Sequence, residues 1–243
     1  MNAIGWCDYT WNPVWGCSNN CGYCYARKMA NRFGEKIAKK EIKRLEMQIL
    51  CGLNKESVFK RLKNFEPTFI LSNFEKKFPK KPSRIFINSM SDICFWEVKW
   101  VEIVLDKIKE YPQHKFLFLT KEPKIYFQYD FIYYNCWLGV TITNNNELST
   151  YQDNLRMFKN RTFISLEPIQ EEINIKIFDK ESFRWLILGA ESGNRKNKII
   201  PKLEWIENIK IYCQKNGIPY FEKDNLKNIV KRDLIKQFPS NLG

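Results

Sequence analysis

Short apolar segments alternate with longer charged segments along most of this chain of 243 residues, and this alternation limits the folds open to it. The apolar segments are nearly continuous, as expected of parallel strands that are buried on both faces. We predict strands at 84–89, 115–120, 136–142, 161–167, 185–191 and 218–223, with a first strand near residues 4–10. The pattern therefore indicates a sheet of six or seven parallel strands.

The segments between these strands have helical character. Residues 97–111 repeat apolar side chains at helical spacing, with charges on the opposite face. Residues 202–216 do the same and end at Asn216-Gly217, a typical helix stop. We predict helices at 26–50, 97–111, 146–158, 170–182 and 202–216. The alternation predicts an α/β fold with βαβ units, either an open sheet or one curved into a barrel, in a single domain.

Polar residues follow the predicted strands. They are Ser89, Ser91, Asp92, Thr120, Lys121, Thr141, Thr143, Glu167, Glu191, Glu222 and Lys223. In barrel-like α/β folds the active site forms at the carboxyl ends of the strands and in the loops that follow them. The alternative is that these residues only mark where each strand leaves the core. The sequence thus offers this edge of the sheet as a candidate site.

Three cysteines fall close together in "CSNNCGYC", with the spacing C-x3-C-x2-C at Cys17, Cys21 and Cys24. The N-terminus has no signal-peptide pattern, so we expect a cytoplasmic protein whose thiols stay reduced. Grouped cysteines in that setting indicate metal or redox chemistry rather than a disulfide framework. The other cysteines are Cys7, Cys51, Cys94, Cys136 and Cys213, and single scattered cysteines are usually small buried hydrophobes.

Zinc and an iron–sulfur cluster are the two metal readings of this loop. A structural zinc site takes four protein ligands, commonly two C-x2-C pairs, but the chain has no second pair and its one histidine, His114, is distant in sequence. Closely spaced thiolates also suit an iron–sulfur cluster. Three cysteines would leave one iron of a four-iron cluster open to a ligand that is not protein.

The stretch "CSNNCGYC" resembles the signature of the radical S-adenosylmethionine (SAM) superfamily, in which an aromatic residue, here Tyr23, precedes the third cysteine. The resemblance implies a 4Fe-4S cluster that binds SAM and, with one electron, yields a deoxyadenosyl radical that abstracts hydrogen from a substrate. It also implies a reductant such as flavodoxin or ferredoxin. The implied fold is a partial (β/α)6-type barrel with the cysteine loop after the first strand, in one radical SAM domain over residues 1–243.

The resemblance extends from about Trp6 to about Lys223. The matching stretches are "TWNPVWGC", "INSMSDI", "HKFLFLTKEP", "WLGVTI", "FISLEPI" and "LGAESG". Together they are similar to an uncharacterised branch of radical SAM proteins associated with phages and prophages. That branch is distantly similar to spore photoproduct lyase, which acts on DNA, and this analogy sets only an expectation for the substrate.

The superfamily also implies roles for residues at the strand ends. The stretch "SMSD", with Ser89, Ser91 and Asp92, stands where the superfamily binds the methionyl amino group, although it departs from the usual Gly-Gly-Glu-like pattern. For Asp92 the alternative is a helix N-cap. Lys121 would pair with the SAM carboxylate or a substrate phosphate, or else be a surface lysine. The other cofactor-binding candidates are Tyr23, Thr141, Thr143, Glu167, Gly189 and Glu191.

Five further residues carry expectations of their own. Cys94 is a candidate hydrogen-atom donor, with ordinary packing as the alternative. Trp11 and Trp15 either shield the cluster or offer a surface on which a base stacks. We expect a structural role for His114, and we expect Cys136 at the start of its strand to face away from the site.

The chain has 40 Lys and Arg against 27 Asp and Glu, a formal net charge of +13. This excess favours a polyanionic partner such as nucleic acid, although a generally Lys-rich chain is the plain alternative. We expect a nucleic acid or nucleotide substrate and no membrane association. The alternatives are a radical SAM enzyme that acts on a peptide or small molecule, and a non-catalytic, zinc-stabilised nucleic-acid-binding module.

Overall fold

The computed structural model of the chain describes residues 4–47, 55–129, 131, 135–158, 161–177 and 179–242. The strands are β1 (Tyr9–Trp11), β2 (Val14–Trp15), β3 (Thr68–Phe69), β4 (Arg84–Ile87), β5 (Lys115–Thr120), β6 (Cys136–Ile142), β7 (Thr162–Leu166), β8 (Trp185–Leu188) and β9 (Tyr220–Glu222). The helices are α1 (Tyr25–Met47), α2 (Lys55–Lys63), α3 (Leu71–Phe74), α4 (Val98–Lys109), α5 (Asn145–Arg156), α6 (Leu203–Lys215) and α7 (Lys227–Val230).

Seven parallel strands form one curled sheet in the order β1-β4-β5-β6-β7-β8-β9, so the fold is a mixed α/β half-barrel. From β4 onward, each strand pairs with the strand of this sheet that precedes it in the sequence. The prediction of a parallel sheet is therefore confirmed. A separate antiparallel pair, β2 and β3, was not predicted and lies beside the cysteine loop.

The strands at 115–120 and 136–142 match the predictions residue for residue. Those predicted at 84–89, 161–167, 185–191 and 218–223 are each two or three residues shorter. The first strand is wrong over residues 4–8, because only Tyr9–Trp11 pairs with the sheet. Gly5 adopts a left-handed φ of 82°, which breaks an extended strand. The turn there carries the buried Trp6 into the inner face of the sheet.

Four of the five predicted helices are present, although residues 48–50 of the segment 26–50 lie outside the described residues. The helix predicted at 170–182 is wrong, because the described part of that segment holds only a 3-10 turn, Ile175–Ile177. Its polar groups bind the start of α5 instead. Glu171 accepts hydrogen bonds from Asn145, whose own side chain accepts the backbone N–H of Asn174 at 2.8 Å.

The two faces of the sheet have different contents because side chains alternate along each strand. On the outer face, apolar residues pack against helices, with Val101 and Val104 of α4 and Ile206 and Ile209 of α6 all buried. The inner face carries an aromatic layer. Its rings are those of Trp6, Phe86, Trp137, Phe163, Trp185 and Phe221, and Leu117 packs among them. It closes the amino-terminal part of the half-barrel and leaves the other end for polar groups.

Gly139 in β6 is a packing requirement of that aromatic layer. It pairs with Phe163 on β7, and a Cβ added at Gly139 would lie 2.2 Å from the Phe163 ring. The ring is fully buried and lies 6.0 Å from the Trp6 ring and 5.7 Å from the Trp185 ring, so it has no free space to move into.

We predict that Gly139→Ala destabilises the protein by about 1–3 kcal/mol, because overpacking a filled core forces side chains and backbone to shift. The measurement is the free energy of unfolding in urea. Gly22→Ala is the control, since a Cβ at Gly22 meets no atom within 4 Å. Equal stability of the two variants would contradict this account of the inner face.

Candidate functional site

A cavity of about 390 Å³ lies at the carboxyl ends of the parallel strands. Its volume is within the range of small-molecule sites. The cysteine loop, the first turn of α1 and the residues that follow β4 to β9 form its wall. Of the residues predicted from the sequence, Cys17, Cys21, Tyr23, Cys24, Ser89, Ser91, Asp92, Lys121, Thr141, Glu167 and Glu191 line it. The structure thus brings together most of the predicted site.

The other predicted residues lie next to the cavity. Cys94 and Thr143 line an adjoining groove, which shares Cys21, Tyr23 and Lys121 with the cavity. Burial raises the pKa of the Cys94 thiol, and the nearby Asp92 carboxylate raises it further. At neutral pH, Cys94 therefore carries its proton.

A glycine determines how the chain enters the cysteine loop. Gly16 has a φ of 108°, and a Cβ there would lie 2.2 Å from the carbonyl oxygen of Glu66. Its N–H donates to the carbonyl of Met90 at 3.0 Å, and the N–H of Cys17 donates to the carbonyl of Phe65 at 3.0 Å. Cys17 is therefore fixed between the end of β4 and the segment after α2.

Arg27, in the first turn of α1, holds the other side of the loop. Its guanidinium donates to the carbonyl oxygen of Cys17 at 3.0 Å and lies 5.3 Å from the centre of the Phe65 ring. Its backbone N–H donates to the sulfur of Cys24 at 3.3 Å. Arg27 therefore contacts the loop at both its first and its third cysteine.

The thiol of Cys17 is held in its protonated form by its surroundings. Burial raises its pKa to about 12, and the Asp92 carboxylate adds to the effect. A metal would lower this pKa, because it replaces the proton on the sulfur. Among the described residues, no three His, Cys, Asp or Glu side chains are grouped as a site for a single metal ion.

Asp92 is a buried acceptor for four hydrogen bonds. Its Oδ1 accepts from the hydroxyl of Thr120 at 2.5 Å and from the N–H of Cys94 at 3.2 Å. Its Oδ2 accepts from the amide of Asn19 at 2.9 Å and from the N–H of Lys121 at 3.0 Å. The N-cap alternative for Asp92 is therefore observed, at the 3-10 turn Ile93–Phe95. The same bonds connect the cysteine loop to β5.

Tyr23 and Lys121 stand between the cavity and the adjoining groove. The ammonium of Lys121 lies 5.7 Å from the centre of the Tyr23 ring and 3.5 Å from Oε1 of Glu147. Glu147 also accepts from the backbone N–H and the hydroxyl of Thr143, at 2.6 and 2.9 Å. Burial raises the pKa of Tyr23, so its hydroxyl stays neutral. Lys121 is thus a partly buried cation, not a solvated surface lysine.

Each predicted acid at the end of β7 and β8 has a cationic partner. Glu167 forms an ion pair with Lys223, which follows β9. The pair lies over Gly189, where a Cβ would be 3.0 Å from the Lys223 chain and 3.2 Å from the Glu167 carboxyl carbon. Gly189 therefore makes room for this ion pair. The carboxylate of Glu191 is buried and accepts two hydrogen bonds from Arg195, both 2.7 Å long.

Some residues of the cavity were not predicted from the sequence. Asn88 has a left-handed φ of 64°. Its side-chain amide donates to the carbonyl of Leu119 in β5 at 2.7 Å and accepts from the N–H of Leu119 at 3.3 Å. Ser165 and Trp6 line the cavity floor, and neither the Ser165 hydroxyl nor the Trp6 indole N–H has a hydrogen-bond partner within the described part of the chain. Ser165 could have been found, because it lies two residues before Glu167 and therefore on the same face of β7.

The remaining expectations concern residues outside the cavity. Trp11 and Trp15 are buried, so neither offers a surface for base stacking; Trp15 packs beside the cysteine loop, whereas Trp11 lies under the outer face. His114 is fully buried among aromatic rings at the start of β5, which confirms its structural position. Cys136 is buried in the outer core, as predicted. Cys51 lies outside the described residues.

Comparison with known protein families matches most of the chain. The model of a family described as "Protein of unknown function (DUF5131)" matches residues 1–233. No curated protein and no solved structure matches the chain. None of the described helices combines the length and the apolar composition needed to cross a lipid bilayer.

We predict that Glu191→Gln destabilises the protein near neutral pH and that the difference disappears in acid. Hydrogen bonds from Arg195 hold the pKa of Glu191 below its ordinary value of about 4.3, so the ion pair stabilises the fold above that pH. This stability is lost as the pH falls through the lower, folded-state pKa. Urea unfolding at several pH values measures it. A stability difference that does not change with pH would contradict the assignment; Glu204→Gln, at an exposed position, is the control.

Proposed function

We propose that this chain, which belongs to the DUF5131 family of proteins of unknown function, is a radical SAM enzyme. One observation carries the proposal. The thiols of Cys17, Cys21 and Cys24 all line one cavity together with the polar ends of the parallel strands. A binding site for a cluster and a small molecule needs both parts in one place. The finer description of the fold, a (β/α)6-type barrel that presents a cluster-binding loop after its first strand, belongs to the same proposal.

The donor chemistry of the loop fits a 4Fe-4S cluster. Each thiolate of such a cluster binds a different iron, so the three sulfurs need not converge on a single point. Cys17 is half-buried, Cys24 accepts an N–H, and Arg27 offers positive charge beside them, which together suit an anionic cluster in a partly apolar wall. When bound, the cluster and SAM would supply a radical able to abstract hydrogen from a substrate.

The protein's own part is to bind and orient these groups. Asp92 and Asn19 fix the cysteine loop against β5, and Gly16 allows the close approach to Glu66. Because four donors already occupy its oxygens, Asp92 acts first as a positioning residue; contact with the methionyl ammonium would have to share those oxygens. The hydroxyls of Ser89 and Ser91 stand beside it in the cavity wall.

The far side of the cavity supplies polar groups for a neutral or zwitterionic ligand. Glu167 and Glu191 are each paired with a cation, so this wall offers hydrogen bonds without a large net charge. Thr141 and Ser165 face each other across β6 and β7 and both line the cavity. The unpartnered groups of Ser165 and Trp6 gain most from a ligand, since a buried polar group without a partner costs about 1–3 kcal/mol.

The proposed substrate is a nucleic acid or a nucleotide. The formal net charge of +13 supports this, because a polyanion gains from counterion release on a basic surface.

Anaerobic reconstitution with iron and sulfide tests the proposed function. We expect a brown protein with absorbance at about 400 nm, four irons for each chain, and release of deoxyadenosine after addition of dithionite and SAM. Cys21→Ala should abolish all three signals, because it removes one thiolate of the trio. Cys213→Ala is the matched control, since this cysteine lies on the buried face of α6.

A colourless protein that holds one tightly bound zinc would overturn the proposal and favour the binding module instead. A fourth side chain found on the cluster would also overturn it, because SAM would then have no iron to bind.

A further inference from the structure

We propose that the exposed ridge of α1 binds the phosphate backbone of a single-stranded polynucleotide and leads it to the mouth of the cavity. The reason for a strand to lie there rests on the proposed function, whereas its binding to the ridge can be measured without cluster or SAM. The ridge consists of Lys28, Arg32, Lys36, Lys39, Lys40 and Lys43, all of them exposed.

The ridge follows from the two faces of α1. Ala26, Ala30 and Ala38 are buried against α2 and the cysteine loop. Lys28, Arg32 and Lys36 are spaced four residues apart on the opposite face, and side chains at that spacing are neighbours along a helix. From Lys28 to Lys43 the ridge runs for roughly 22 Å at 1.5 Å per residue.

The positive charge of the ridge is not cancelled by the acids described on the same helix. Glu35 pairs with Lys39 at 2.7 Å and is the acid on the ridge itself. Glu41 points inward, where its carboxylate accepts the backbone N–H groups of Leu71 and Ser72 at 2.6 and 3.2 Å. Several cations in a row with a single acid among them attract a polyanion.

The start of the ridge stands at the cavity mouth. Tyr25 lines the cavity, its hydroxyl donates to the carbonyl of Ser89 at 2.7 Å, and the residue is 48% exposed. One turn further, the ammonium of Lys28 lies 3.6 Å from where a Cβ of Gly193 would stand, in the loop after β8. An exposed aromatic ring next to cations is the usual combination for binding a single strand, since bases stack on the ring.

The size of the cavity decides between a duplex and a single strand. A volume of about 390 Å³ admits one small molecule and excludes a double helix. An atom of a base can reach such a site only when the base is unpaired or turned out of its stack. The base that enters the cavity is therefore unpaired, and a single strand presents such a base without the cost of opening a duplex.

Binding of fluorescein-labelled oligonucleotides, followed by fluorescence anisotropy over a range of salt concentrations, tests the inference. The ridge variant combines Lys28→Gln, Arg32→Gln, Lys36→Gln and Lys43→Gln. The matched control removes the same charge from exposed positions elsewhere, with Lys176→Gln, Lys180→Gln, Lys215→Gln and Lys227→Gln. Single-stranded DNA and RNA are compared as separate arms, with duplex DNA and polyglutamate as the competing ligands.

We expect the ridge variant to bind single strands more than about tenfold more weakly at low salt, with a salt slope smaller by about 3, because each lost phosphate contact removes about 0.7 from the slope. The control should bind as the unaltered protein does. Equal losses in the two variants would overturn the inference, since net charge alone would then explain binding. Tighter binding of polyglutamate or of duplex would also overturn it.

The outcome is separable from that of the proposed function. Cys21→Ala should leave oligonucleotide binding unchanged, and the ridge variant should still take up iron and cleave SAM. If the protein binds single strands but assembles no cluster, the inference about the ridge holds and the proposed enzymatic function is wrong. If the protein cleaves SAM but the ridge variant binds strands as tightly as the unaltered protein, the proposed function holds and the inference about the ridge is wrong.

Discussion

The buried carboxylate of Asp92 holds the site together. It receives donors from the cysteine loop, from the turn after β4 and from the end of β5. A buried carboxylate without such partners would be strongly disfavoured, so the four hydrogen bonds make one arrangement of these three segments much more stable than others. Gly16 adds the second constraint, because only a residue without Cβ can pass the Glu66 carbonyl and place Cys17 beside them.

On the inner face of the half-barrel, packed rings lie at the amino-terminal part of the strands and the polar residues of the site lie at their carboxyl ends. Its amino-terminal part is filled by large rings around Trp6, and Gly139 leaves the space that the Phe163 ring needs. One pleat further along β7 stands Ser165, and the next inward position is Glu167. Gly189 has the same role as Gly139, but at the carboxyl ends of the strands, where it makes room for the ion pair of Glu167 and Lys223. The cavity thus rests on a rigid aromatic floor.

The ion pairs change what the acids at the strand ends can offer a ligand. From the sequence alone, Glu167 and Glu191 would be taken as unpaired carboxylates that could bind one. In the fold each has a cation from a later segment, Lys223 or Arg195, and Lys121 is likewise neighbour to Glu147. The charges in the wall of the cavity are therefore nearly balanced. Outside the cavity, the ridge of α1 carries several exposed cations with a single acid among them.

The sequence alone determined the parallel sheet, most of its strands and the side of the sheet on which polar groups collect, because continuous apolar runs and their polar ends are local patterns. It could not determine the short β1, the missing helix at 170–182 or the ion-pair partners. Those depend on contacts between segments distant in the chain, such as Glu167 with Lys223 and Asn145 with Glu171. Only the tertiary structure brought the three thiols to the strand ends in one cavity, because that placement rests on Gly16 and Asp92 meeting residues far from them in sequence.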